Sequence, residues 1–152
     1  MAAFSLAKAA ALGDDAFCEW EIYSGLATTV GEAYYPWEAT IALRKRWGEI
    51  PADWQIEKRR HLVAFHHPQY WRSRLYVGKR AWVISHETGR VLWVDIVDVM
   101  ANPEALVDLT PEMMGWQLGF ADGRRDRGGL DVTMLIPKLG DQKCEALDWP
   151  SY

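Results

Sequence analysis

Residues 88 to 100 read TGRVLWVDIVDVM and put a carboxylate where an apolar side chain is due. Leu92, Val94 and Ile96 share one parity, and Asp98 falls on it. Alternate side chains of a strand point to one face, so this pattern aims an acid at the core. A buried carboxylate is costly unless it is hydrogen-bonded, paired or protonated. Two roles fit. The strand can end at Asp98 and leave the side chain at a rim, where it caps a loop. Alternatively, partial desolvation raises its pKa and makes Asp98 a functional acid. Elsewhere, His66 and His67 form a doublet next to Tyr70 and Trp71. Such a doublet is ordinarily a pair of surface or half-buried histidines, and only then a ligand or base. Arg124, Arg125 and Arg127 make a charge run that reads as a solvated loop, with anion or partner binding as the sharper option.

No phosphate-binding loop, dinucleotide fingerprint, serine-nucleophile elbow or zinc-protease motif occurs. Cys and His are too scattered for a zinc site, so neither metal nor cofactor is expected. Cys18 and Cys144 stand near opposite ends, and the spacing fits a bridge across a long loop as well as two unrelated thiols. Trp is the outlier in composition, with nine in the chain. Most serve as packing, and any exposed remainder favours stacking on flat ligands such as sugar rings or bases.

The elements that must hold these residues are mostly strands. HLVAF (61 to 65) is a compact apolar run, and HHPQYWRSRLYVG is a loop or helical turn. KRAWVIS (79 to 85) and RVLWVDIVDV (90 to 99) read as a hairpin, with Gly89 taking positive φ in the turn. LDVTMLIP (130 to 137) is a buried strand ended by Pro137. Thr110, Pro111 and Glu112 mark a helix start, and Gly119 a stop. WEATIALRKRWGEI (37 to 50) has helical spacing, with Trp37, Ile41, Leu43 and Trp47 near one face. Residues 3 to 12 suggest a short helix, residues 15 to 24 fit helix or strand, and GLATTVGEAYYP (25 to 36) reads as strand and loop. Short strands lying close together point to a small decorated barrel, not to alternating strands and helices.

At 152 residues the chain reads as one domain: an N-terminal extension (1 to 22), a barrel (23 to 137) and a C-terminal tail (138 to 152). The net charge of −4 disfavours non-specific gripping of nucleic acid. No apolar run reaches the length of a membrane-spanning helix. MAAFSLAKAAALG is too short and too weakly apolar to read as a clear signal peptide.

Residues 61 to 137 resemble double-psi β-barrel domains of the expansin, barwin and RlpA-like kind. The stretches that carry the resemblance are HLVAFHHPQYWRSRLYVGKRAWVISHETGRVLWVDIVDV, LVDLTPEMMGWQLG and LDVTMLIP, with a weaker echo in YSGLAT (23 to 28). The resemblance implies a mainly β fold: a six-stranded double-psi barrel with short helices, here with an N-terminal helical extension and an insertion at about 29 to 60 lying across the groove. It also implies a groove that binds extended polysaccharide, and a secreted or envelope-associated protein. In catalytic relatives an Asp at the end of the hairpin strand helps to cleave glycan, and that position matches Asp98. A half-buried carboxyl that keeps its proton suits this step. Asp108 matches the family's "DLS" turn, where it orders a loop and a helix start. His66, Tyr70, Trp71 and Trp82 become the candidate substrate contacts.

The chain also departs from that pattern. Val99 and Met100 follow Asp98 where the family has Arg-Gly or Arg-Cys, and no second catalytic acid can be placed. Binding to a cell-wall polysaccharide, with or without weak lysis, is therefore the leading expectation. Its rivals are a protein-binding effector or inhibitor on the same barrel, as in kiwellin-like proteins, and an RNA-binding PUA-like barrel.

Overall fold

The computed structural model of the chain describes residues 19–29, 37–54, 61–109 and 129–140. The expected N-terminal helix, the helix starting at Thr110, the Arg124–Arg127 loop and both cysteines lie outside the described residues. Among the described residues there are six strands: β1 (Trp20–Thr29), β2 (Leu62–Phe65), β3 (Arg80–Ser85), β4 (Val91–Val99), β5 (Val107–Leu109) and β6 (Leu130–Pro137). A helix, α1 (Trp37–Arg46), follows β1, and a 3-10 helix (Tyr70–Tyr76) follows β2. The strands close into a barrel in the order β1-β5-β2-β4-β3-β6. β1 pairs with β5 and β2 with β4 in parallel, while the remaining neighbours are antiparallel.

The alternation read in the sequence explains the barrel interior. Leu92, Val94 and Ile96 of β4 meet Val132, Met134 and Ile136 of β6 in one buried core. β2 is buried on every residue because both its faces are covered. Val63 and Phe65 point into the barrel, whereas Leu62 packs outside with Ile41, Ile50 and Val97. α1 thus lies on the outer wall of β2 and β4. The hairpin turn is as expected, with Gly89 at φ 70°. Gly78, at φ 90°, is needed for a different reason: a Cβ there would come within 2.7 Å of the Glu49 carbonyl.

Three features differ from the sequence reading. β1 begins at Trp20, so residues 20 to 24 of the ambiguous stretch are strand. β5 is a three-residue strand, too short to show a period, inside a segment that read only as the approach to a helix. The third concerns Asp98. Val63 pairs with Ile96, but Ala64 pairs with Asp98 and Phe65 with Val99. β4 therefore carries one residue more than β2, a bulge at Val97. Beyond it the alternation restarts, and Asp98 leaves the inward face to meet α1 on the outside.

Candidate functional site

One end of the barrel is closed by polar side chains. The inward parity of β1 runs through Glu21, Tyr23, Gly25 and Ala27, with Glu21 opposite Ile136 and Tyr23 opposite Met134. Tyr76, at the end of the 3-10 helix, and His67, just after β2, complete the group. The Tyr23 hydroxyl donates to Glu21 Oε1 at 2.8 Å, and the Tyr76 hydroxyl donates to the same oxygen at 2.7 Å. The two hydroxyl oxygens are 3.2 Å apart. His67 Nε2 lies 3.0 Å from the Tyr23 oxygen, and its ring stacks on Tyr76 at 5.4 Å. The Gln69 backbone N–H donates to His67 Nδ1 at 2.8 Å. In the neutral ring the proton therefore sits on Nε2, which donates to Tyr23.

The electrostatics follow from burial. His67 is held below the ordinary imidazole range, first by desolvation and then by the Arg72 charge. Burial also pushes both tyrosines upward; the Tyr76 bond and then Glu21 reinforce the shift at Tyr23, and Glu21 does so at Tyr76. The group is thus a carboxylate fed by two phenols that keep their protons, with a neutral imidazole behind them. It can hold a hydroxyl-rich ligand at its edge or pass a proton along hydrogen bonds. Among the described residues no group of three His, Cys, Asp or Glu is placed to bind a metal ion.

The 3-10 helix forms the outer lip of this end. Its sequence YWRSRLY buries Ser73 and Tyr76 and turns Tyr70 and Trp71 outward. Ser73 is held by the His67 backbone N–H at 2.9 Å, which ties the helix to the end of β2. Tyr70 is 52% exposed and Trp71 71% exposed. His66 is buried and stacks on Tyr70 at 5.2 Å; its Nδ1–H donates to the Met100 carbonyl at 2.8 Å. Arg72 lies over the Trp71 ring, and Trp47, 51% exposed, sits between the guanidinium groups of Arg44 and Arg74. Tyr70, Trp71 and Trp47 are thus stiffened by neighbours yet open to solvent.

The other residues singled out in the sequence lie elsewhere. Trp82 is on the outer wall against Trp93, with ring centroids 6.0 Å apart. Asp98 accepts Arg44 Nη2 at 2.7 Å, while Arg44 Nη1 reaches Glu49 at 2.9 Å and Arg74 reaches Glu49 at 2.6 Å. Burial disfavours the charged Arg44, but the two carboxylates outweigh it and raise its pKa. Asp108 accepts the Thr28 hydroxyl across the β1–β5 pair. Burial raises the pKa of Asp108, and the bond from Thr28 opposes the rise. The structure therefore brings His66, Tyr70 and Trp71 together and leaves Asp98, Asp108 and Trp82 apart from them.

Glu21, Tyr23, His67 and Tyr76 were not singled out as a group by sequence reasoning. The signal for the first two was the alternation E-Y-G-A at 21, 23, 25 and 27, hidden because residues 15 to 24 fit helix as well as strand. No protein-family model matches the chain, and neither does any curated protein. Among solved structures the chain is similar to cerato-platanin 3 from M. perniciosa, at 16% identity and a TM-score of 0.50, over 78% of this chain and 95% of the other. The closed six-stranded barrel and this likeness together show the double-psi fold.

Proposed function

We propose that this barrel binds an extended cell-wall polysaccharide along the lip formed by the 3-10 helix, as a secreted or envelope-associated protein. The observation that carries the reading is the pair Tyr70 and Trp71, exposed on a helix anchored to β2. Aromatic faces pack on the C–H faces of sugar rings, and polar groups nearby take the hydroxyls. Glu21 and Tyr23, both half-buried, supply such groups at the barrel end. Glu21 and Asp98 are already engaged by strong donors, so we adopt binding without cleavage. The test is retention on insoluble chitin, cellulose and peptidoglycan. The wild type is retained on at least one of them, and the double substitution Tyr70→Ala with Trp71→Ala reduces retention several-fold with an unchanged melting temperature. Asp98→Asn is expected to leave retention unchanged, and a several-fold loss at an unchanged melting temperature would return Asp98 to the site.

A protein partner is the second reading, favoured by the composition of the same lip. Trp, Tyr and Arg are the residues that dominate protein–protein hot spots. A stoichiometric protein captured by the wild type, with no glycan retained, decides for it.

A further inference from the structure

We infer that the polysaccharide taken by this lip is a polyuronate, a chain bearing a carboxylate on each sugar ring. This deepens the glycan reading and rests on it. The observation is a local reversal of charge. The chain as a whole carries −4, yet the segments Trp37–Ile50 and Tyr70–Lys79 hold six cations against two carboxylates. The two segments abut, because Trp47 at the end of α1 touches Arg74 of the 3-10 helix.

The internal ion pairs leave part of that charge uncompensated. Arg44 and Arg74 are matched by Glu49 and Asp98. Among the described residues no carboxylate pairs with Lys45, Arg46 or Arg72. Arg72 is half-buried and lies with its guanidinium 5.7 Å from the Trp71 ring centre. A sugar ring stacked on Trp71 would bring a ring carboxylate to that guanidinium. A planar guanidinium binds a carboxylate through paired N–H bonds, more strongly than it binds a neutral hydroxyl. Lys45 and Arg46 extend the positive field past Trp47, which suits a polymer charged at every ring better than one charged only at intervals.

The experiment compares retention of the full chain on polygalacturonate and on the same polymer with its carboxyls methyl-esterified, beside chitin and peptidoglycan. The acid form is expected to hold the wild type about tenfold more tightly at low salt, and the preference shrinks as salt is added. Arg72→Gln narrows the preference, whereas Trp71→Ala weakens both forms together. Equal retention on the acid and ester forms overturns the inference while the glycan reading stands, and so does tighter binding to chitin or peptidoglycan than to polygalacturonate. Retention on no polysaccharide overturns both. The comparison of acid with ester uses the unmodified protein, so it holds even if Arg72→Gln fails to fold.

Discussion

Glu21 and Asp98 both sit on strands whose alternate residues enter the core, yet their surroundings are opposite in kind. Glu21 keeps the inward parity and is met by two phenols and, behind them, a neutral imidazole. Asp98 loses that parity at the bulge and is met by a guanidinium of α1. The inward acid that the parity of the hairpin strand predicts is therefore supplied by β1. His67 gives this group a measurable signature. Its folded pKa is lowered, so near pH 6.5 the unfolded chain takes up a proton that the folded chain refuses. The associated stability is full above that value and is lost as pH falls through it. The melting temperature is expected to drop between about pH 7.5 and 5.5, and to drop less in His67→Gln, which cannot take up a proton. Equal pH slopes for the two proteins would show that His67 is not the titrating group.

At the scale of elements, three strands and a helix were legible because their patterns are local. The bounds of β3, β4 and β6, and the start of α1, match the structure to within one residue, whereas β2 was legible only as an apolar run. The face of α1 differs from the expected one. Ile41 and Arg44 are buried, while Trp47 is half-exposed. Asp98 and Glu49 draw Arg44 inward, and the rotation that satisfies them leaves Trp47 outside between guanidinium groups. α1 is docked by apolar contacts as well, since Ile41 packs with Leu62, Val77 and Val97. Ile41→Ala removes most of that buried side chain and should cost about 2 to 4 kcal/mol in urea unfolding. A cost below about 0.5 kcal/mol would mean that α1 contributes little to the stability of the barrel wall.

For the whole molecule, β6 is the closing piece. It pairs with β1 over eight positions and with β3 over four. Without it the barrel opens and two strand edges lie unpaired. A chain ending at Gly129 is therefore expected to show no cooperative thermal transition and to aggregate on size-exclusion chromatography; a sharp transition in that truncation would show that closure is not required. Closure also explains the polar end of the barrel, because residues 21, 23, 67 and 76 meet there from three separate parts of the chain.

The sequence by itself determined the strand-rich class, the hairpin with its turn at Gly89, the aromatic run after β2 and the resemblance to double-psi barrels. Each depends on residues within a few positions of one another, where period and turn chemistry are written directly. Only the tertiary structure decided where Asp98 faces and which polar groups gather at the barrel end. A bulge is a mismatch between two paired strands and leaves no mark on either strand alone. The grouping of Glu21, Tyr23, His67 and Tyr76 needs the register of β1 against β6 and the fold of the 3-10 helix onto the end of β2, and those are set by barrel closure, not by local spacing.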